Sequence, residues 1–304
     1  MGQSQSKKYD MAIAFVFFNP SKSKRILMNY LYTLNRLTEF PCYTIELVFD
    51  NRNPEIPASP NVFHVNSHSY MFHKERLCRV LESKIPKKYT KIVFLDADLI
   101  FSDAKWYSDM STKLNTYDVV QGFEFGHWLD LTYKNVSLTR ETAVKSPSNV
   151  YSHIFHPGFA WGFRREWYNK VGFFDWAVSG SGDTLSVAAW MKQTFVKGAH
   201  SLPMSMNSVY QDYCTMKKPK ISYLEGIHVF HLYHGSRVNR QYVDRHSILN
   251  VARDIRTLLK VNKDGAYEWV EPSRWNSKLL GYFITRDDDG VEGSVVETKG
   301  KRTS

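Results

Sequence analysis

The segment Lys91–Phe101, KIVFLDADLIF, constrains the fold of this chain more than any other. An apolar, partly β-branched run leads directly into Asp96 and Asp98, and a second apolar triplet follows. Such a run predicts a strand buried on both faces, as in a parallel sheet with helices above and below. Ligands of open α/β sheets bind at the carboxyl ends of the strands. Carboxylates there are unfavourable unless they are paired or bind a metal, so they indicate a divalent-cation site, with a solvated turn as the alternative.

Predicted strands and helices alternate before this segment. Strands are expected at 11–18, 42–49 and 62–65, with helices from Ser21 or Ser23 to about Leu37 and over 72–83. This β-α-β-β-α-β order predicts an α/β fold with a doubly wound, Rossmann-like, mostly parallel central sheet and helices on both faces. The later elements are less regular. We expect a strand at 117–122, a polar loop at 135–149, and helices at 184–195 and 242–259.

The predicted domain organisation is one large domain between two tails. Residues 1–9 form a flexible tail, and residues 10–270 form the domain, with halves at 10–101 and 102–270. Residues 271–304 form a C-terminal extension, and its acidic, then basic, Gly/Ser-rich composition predicts disorder from about residue 287.

Composition narrows the class of protein. Of 304 residues, 43% are hydrophobic, which is typical of a globular chain, and the longest apolar run, Met11–Phe18, is too short to span a bilayer. The net charge of +10 favours an anionic partner: a nucleotide diphosphate, an anionic membrane or nucleic acid. Because the basic residues are scattered, we expect no nucleic-acid partner. Three cysteines without metal-ligand spacing indicate reduced thiols in a cytoplasmic protein.

The first residues, MGQSQSKK, match the pattern for N-myristoylation. Gly2 would accept the acyl chain, and Lys7 and Lys8 would add attraction to anionic lipid. This predicts peripheral contact with the cytoplasmic face of a membrane, and one acyl chain gives only weak binding. A polar tail with a chance glycine is the alternative.

Two histidines near the end of the chain are candidates for completing the cation site. His231 and His234 lie in the aromatic segment HVFHLYHG. Imidazole beside carboxylate suits Mn²⁺ or a comparable ion. Packed or surface histidines are the alternative interpretation.

Six segments, in this order along residues 11–250, together resemble GT-A-fold glycosyltransferases. They are also similar to a poorly characterised, chlorovirus-like group from bacteria and large DNA viruses. The segments are Phe17–Pro20, Lys74–Leu77, Phe94–Asp98, Pro157–Trp161, Gly180–Asp183 and His231–Arg237.

The resemblance implies transfer of a sugar from a nucleotide-sugar donor, UDP- or GDP-linked, to a glycan or glycoprotein acceptor. It implies Mn²⁺, or Mg²⁺, bridging the donor diphosphate, with residues 10–101 as the donor half and 102–270 as the acceptor half. It also implies roles for individual residues. For the metal, the roles are Asp98 as a direct ligand, Asp96 on the ion, its water or the ribose, His234 as a further ligand, and His231 as a ligand or as the residue that orients His234.

For the nucleotide, the resemblance places Arg237 on the diphosphate and Asp50 on the base or ribose. It places Phe18 and Asn19 beneath the nucleotide, with Lys74 and Arg76 facing it.

Asp183 is the candidate catalytic base. An inverting transfer needs a carboxylate to take the proton of the acceptor hydroxyl. Asp183 also opens a predicted helix, so an N-cap is the alternative role. Three other functions stay open: a phosphatase using Asp-x-Asp, a nucleotidyltransferase, and a non-catalytic nucleotide- or sugar-binding protein that keeps the fold.

Overall fold

The computed structural model describes residues 9–146, 154–192, 202–242 and 244–290. Its strands are β1 (Met11–Phe18), β2 (Cys42–Phe49), β3 (Val62–Ser67), β4 (Lys91–Leu95), β5 (Leu99–Phe101), β6 (Val119–Gln121), β7 (Phe125–Leu129), β8 (Val136–Thr142), β9 (Phe155–His156), β10 (Ala160–Arg164), β11 (Ile221–Tyr223), β12 (His228–His231), β13 (Leu259–Val261) and β14 (Tyr267–Trp269). Its α-helices are α1 (Lys24–Asn35), α2 (Lys74–Lys84), α3 (Trp106–Lys113), α4 (Arg165–Lys170), α5 (Gly182–Trp190), α6 (Asn207–Cys214), α7 (Ile255–Leu258) and α8 (Pro272–Thr285).

A seven-stranded sheet forms the centre, in the order β11-β6-β10-β4-β1-β2-β3. Strands β1 to β4 are mutually parallel, and β10 runs antiparallel to β4 and β6. Every residue of β4 is buried. Alternate side chains enter two separate cores, Ile92 and Phe94 on one face and Val93 and Leu95 on the other. The predicted α/β class with a mostly parallel sheet is therefore confirmed.

Helices α1 and α2 connect parallel strands, as predicted. Ser23 caps α1, because its hydroxyl accepts a hydrogen bond from the amide of Ile26. Helix α2 buries Leu77, Cys78 and Leu81 against the sheet.

A smaller five-stranded sheet, β5-β12-β7-β8-β9, lies beyond Asp98. Strand β12 pairs antiparallel with β5, which sets His231 opposite Leu99. The amide of Leu232 donates to the carbonyl of Asp98 at 2.8 Å. This pairing brings the distant histidine segment to the end of β4.

Two local predictions were wrong, and the helix predicted at 184–195 ends earlier than expected. The polar loop at 135–149 contains strand β8, whose exposed and half-buried side chains give little apolar alternation. The helix at 242–259 is instead a 3₁₀ segment, Asp244–Leu249, followed by the short α7. The Ser247 hydroxyl donates a hydrogen bond to the carbonyl of Asp244, and such local side-chain bonds compete with a regular α-helix. Helix α5 begins at Gly182 and ends at Trp190, and residues 193–195 of the prediction lie outside the described residues.

Both chain ends were predicted as tails. Residues 1–8 and 291–304 lie outside the described residues. Helix α8 packs into the core through Trp275 and Leu279, and Asp288 is only 3% exposed. The disorder expected from about residue 287 therefore does not include residues 287–290. Among the described residues, no helix is both long and apolar enough to cross a bilayer.

Candidate functional site

A cavity of about 270 Å³ lies at the carboxyl ends of β1 and β4. Eight of the predicted site residues line it together. These are Phe18, Lys74, Asp96, Asp98, Asp183, His231, His234 and Arg237.

We call Asp98, His231 and His234 the histidine side of this pocket. Asp98 Oδ2 lies 2.9 Å from His234 Nε2 and 3.4 Å from His231 Nε2. The two Nε2 atoms are 3.2 Å apart. Each residue thus offers a ligand atom to one small volume, with all three atoms within 4.8 Å of one another. The other carboxylate oxygen, Asp98 Oδ1, is buried and has no hydrogen-bond partner.

The charge states on the histidine side suit cation binding. Burial favours the neutral form of Asp98, but His231, His234 and Arg240 outweigh it and hold its pKa well below its usual range. Burial lowers the pKa of His231 to about 3. Near neutral pH the group therefore contains an ionised carboxylate and a neutral imidazole, the forms that bind metals.

The segment after α8 contacts His234 at Nδ1, whereas Nε2 of the same ring faces Asp98. Asp288 Oδ1 lies 3.4 Å from His234 Nδ1 and accepts a hydrogen bond from Arg286 at 2.9 Å. Gly235 allows this approach, since a Cβ there would lie 2.6 Å from the carbonyl oxygen of Asp287, and its φ is +83°. Sequence reasoning does not identify Asp288, because the acidic run at 287–289 predicts disorder and not a buried carboxylate.

We call Lys74, Glu75, Asp96 and Asp183 the lysine side. Lys74 forms an ion pair with Asp96. Burial opposes the charge on Lys74, but Asp96, Asp183 and Glu75 outweigh it and raise the pKa of its ammonium group. The lysine is therefore charged, and Asp96 already has a cationic partner.

Asp183 does not cap α5. The N-cap is Ser181, in the left-handed region with φ of 68°, while Asp183 Oδ1 accepts from the amide of Thr184 at 2.7 Å. Gly158 leaves room for the carboxylate, since a Cβ there would lie 2.9 Å from Asp183 Oδ2.

Glu75 is a second carboxyl group that sequence reasoning missed. It is 6% exposed and lies directly against Gly182, where a Cβ would meet its Cδ at 2.3 Å. Burial raises the pKa of Glu75 to about 7. A carboxyl group that holds a proton near neutral pH thus lies beside the turn that carries Asp183.

Arginines form much of the remaining wall. Arg237, the predicted one, has its guanidinium 5.9 Å from the centre of the Trp128 ring. Four more arginines line the pocket and were not predicted. They are Arg140, Arg240, Arg245 and Arg286.

Three predicted residues are not brought into this pocket. Asn19 is buried in a turn, where it bonds both the amide and the carbonyl of Ser23. Asp50 accepts from the hydroxyl of Tyr70 at 2.6 Å. Arg76 donates to the carbonyl of Gly265 at 2.7 Å and pairs with Asp175. Two positions along a helix turn the side chain to the opposite face, which separates Arg76 from Lys74.

Comparisons with protein-family models and with curated proteins find no match. Among solved structures, the catalytic domain of Drosophila β1,4-galactosyltransferase 7, in complex with xylobiose, is 10% identical, with 89% of this chain and 98% of that chain covered and a TM-score of 0.41. GalNAc-T7 with UDP, GalNAc and Mn²⁺ is 12% identical, with 74% and 43% covered and a TM-score of 0.39.

A 4-diphosphocytidyl-2C-methyl-D-erythritol synthase from Anaerococcus prevotii is 8% identical, with 73% and 89% covered and a TM-score of 0.34. Similarities this low assign no role to any residue here. The functional argument therefore depends on the geometry of the pocket.

Proposed function

We propose that the chain is a metal-dependent glycosyltransferase of GT-A type that moves a sugar from a nucleotide-sugar to a hydroxyl group of a glycan or glycoprotein. One observation carries the proposal. A single pocket at the carboxyl ends of parallel strands combines a carboxylate and two imidazoles in metal-binding geometry, an arginine-lined wall and a separate carboxylate, Asp183.

The residues of the histidine side fit a divalent cation. One oxygen and two nitrogen ligands suit Mn²⁺ better than Mg²⁺, which prefers oxygen. The buried, unpartnered Asp98 Oδ1 offers a further ligand atom. When bound, the ion would neutralise charge on the departing diphosphate as a Lewis acid. The ion pair with Lys74 supports an indirect role for Asp96, through water or the donor ribose.

The remaining residues divide the work of binding and proton transfer. Arg237 binds the diphosphate, for which a guanidinium fork is well shaped, and Phe18 lies beneath the nucleotide, UDP or GDP. Asp183 takes the proton of the acceptor hydroxyl as its oxygen bonds to the anomeric carbon and the bond from that carbon to the diphosphate oxygen breaks. Attack on the face opposite the leaving diphosphate makes the transfer inverting.

A donor screen tests this function. The protein is incubated with Mn²⁺ and a panel of UDP- and GDP-sugars, and release of nucleoside diphosphate is measured. Asp98→Ala should abolish release, whereas Asp118→Asn, whose carboxylate pairs with Arg164 outside the pocket, should not. If no donor is bound or cleaved and Asp98→Ala behaves like the wild type, the transferase proposal is wrong.

Adding phosphate monoesters and nucleoside triphosphates to the panel, with phosphate and pyrophosphate release as readouts, separates the alternatives. A non-catalytic protein would bind a donor without turnover, a phosphatase would release inorganic phosphate, and a nucleotidyltransferase would release pyrophosphate from a nucleoside triphosphate.

The chlorovirus-like grouping, the cytoplasmic location and membrane contact through Gly2, Lys7 and Lys8 stay predictions. Mass spectrometry after co-expression with an N-myristoyltransferase tests the last of these, and an unmodified Gly2 would contradict it.

A further inference from the structure

Three arginines are more than nine-tenths buried among the described residues: Arg165, Arg245 and Arg286. Two of them have acidic partners, since Arg165 pairs with Glu82 and Arg286 with Asp288. Arg245 differs. No carboxylate of a described residue lies within salt-bridge distance of it, although its side chain lines the pocket.

The partners of Arg245 are neutral. Nη1 donates to the Tyr282 hydroxyl and Nη2 to the Ser181 hydroxyl, each at 3.2 Å. The guanidinium lies 4.7 Å from the centre of the Phe72 ring and 5.3 Å from that of Tyr242. Its Nε is buried without a hydrogen-bond partner. Hydroxyls and rings orient a buried cation but leave its charge uncompensated, which is unfavourable. An anionic ligand would supply the missing charge.

The position of Arg245 indicates which substrate would carry that anion. Its Nη2 packs directly against Gly180, where a Cβ would lie only 2.6 Å away, and Gly180 has φ of +94°. Gly180 and Ser181 begin the turn that carries Asp183. His246 holds this turn, with Nδ1 2.8 Å from the hydroxyl of Ser179 and Nε2 3.1 Å from that of Ser181. Arg245 is thus built into the same turn as the proposed base.

We infer that Arg245 and Ser181 form an oxyanion subsite for a carboxylate or phosphate group on the acceptor, so that the acceptor is an acidic or phosphorylated sugar. The guanidinium fork binds either group through two parallel hydrogen bonds. The assignment to the acceptor rests on the proposed function of Asp183, whereas the anion subsite itself does not.

Sulfate binding to the metal-free protein tests the subsite. With EDTA present, sodium sulfate is titrated against sodium chloride at equal ionic strength, and the Tm is followed. The wild type should show a saturable rise in Tm at low millimolar sulfate. Arg245→Gln should lose this response, and Arg245→Lys should bind sulfate more weakly. Arg79→Gln, which removes a partner of Asp175 outside the pocket, should respond like the wild type.

A wild type without a saturable response, or an Arg245→Gln variant with an unchanged one, overturns the subsite. If Arg245→Gln does not fold, the Ser181→Ala titration decides. A weaker sulfate response than in the wild type supports the subsite, and an unchanged response overturns it. These titrations use neither donor nor metal, so they report on the subsite even if the chain is not a glycosyltransferase.

A second titration separates acceptor from donor. Sulfate is added to the wild type after saturation with UDP and Mn²⁺, which would occupy the diphosphate site. A sulfate response that persists supports an anionic group on the acceptor. Loss of the response would mean that Arg245 binds the donor diphosphate, and the acceptor assignment would be wrong.

Discussion

Asp96 and Asp98 lie one residue apart in the turn between β4 and β5, yet their backbones bond to different sheets and their side chains have different partners. The amide of Asp96 bonds the carbonyl of Phe159, beside β10 of the large sheet. The carbonyl of Asp98 accepts from Leu232, beside β12 of the small sheet. The motif therefore spans the junction between two sheets, and the two carboxylates meet different partners, Lys74 for Asp96 and two histidines for Asp98.

The two sides differ in the partners that they give a carboxylate. Asp96 pairs directly with a charged ammonium group, whereas Asp98 faces two imidazoles, of which His231 is neutral near pH 7. The cation on this side, the Arg240 guanidinium, bonds the His234 ring and not Asp98 itself. A second cation beside Lys74 would be repelled, while one beside Asp98 would gain ligands. We therefore expect the cation on the histidine side and the proton transfer on the lysine side.

The largest effect on activity is expected from Asp183→Asn, which changes only the side assigned to proton transfer. Removing a general base costs about 10²- to 10⁴-fold in kcat. Because Asp183 is not the N-cap of α5, the Tm should change little, and donor and Mn²⁺ affinities should match the wild type. Steady-state kinetics and donor titration check this. Loss of donor binding together with kcat would place Asp183 in the donor site instead.

Exchanging either carboxylate of the motif tests the comparison directly. Asp98→Asn should weaken Mn²⁺ binding at least about 100-fold, since a ligand contributes no less than the residues that support it. Asp96→Asn should weaken it less than about tenfold, because Asp96 is paired with Lys74. Calorimetric Mn²⁺ titrations of both variants decide, and equal losses would refute the division.

The elements that sequence reasoning predicted share a physical origin. Strand β4, the Ser23 cap and the amphipathic α2 depend on local apolar pattern and capping, which single segments record. Strand β8 gives little signal because only one of its side chains is buried. The apolar pattern at 242–259 predicts one long helix, although a side-chain hydrogen bond from Ser247 favours a turn there.

The sequence predicts those residues of the candidate site that belong to local motifs, and it does not predict the residues that depend on tertiary contacts. Motif residues such as Asp98, His234 and Asp183 line one pocket. Glu75, Arg245 and Asp288 could not be found this way, because their roles depend on burial and on contacts between distant segments. Conversely, the resemblance of the segment Lys74–Leu77 implies a role for Arg76 beside Lys74, although the helix turns the Arg76 side chain away from the pocket.

A third test concerns the proton on Glu75. Its pKa of about 7 lies above the ordinary value of 4.5, so the native state binds this proton more tightly than the unfolded chain. The resulting stabilisation is complete below pH 4.5 and is lost as the pH rises to about 7, a fall of about 3 kcal/mol in the free energy of unfolding.

Glu75→Gln should remove this part of the pH dependence. Urea unfolding in EDTA at about pH 5 and about pH 8 measures it. Glu166→Gln, at an exposed carboxylate that bonds Lys170, should keep the wild-type difference between the two pH values. An unchanged slope in Glu75→Gln would mean that Glu75 is ionised in the native protein.

The smallest expected effects lie behind the histidine side, in the segment after α8. Asp288→Asn should weaken Mn²⁺ binding about 10- to 100-fold, because a carboxylate behind a ligating histidine fixes its tautomer and orientation. Asp289→Asn is the matched control. Asp289 accepts hydrogen bonds from the amides of Lys24 and Arg25 at the start of α1 and from the hydroxyl of Ser23.

Asp289→Asn should therefore lower the free energy of unfolding by about 1 kcal/mol, as for a helix cap, with Mn²⁺ affinity unchanged. Mn²⁺ titration and urea unfolding of both variants separate the two roles. If both carboxylates affect metal binding equally, the segment acts only by holding the chain end in place. If only Asp288 does, the histidine side extends beyond its three ligands to a residue near the end of the described chain.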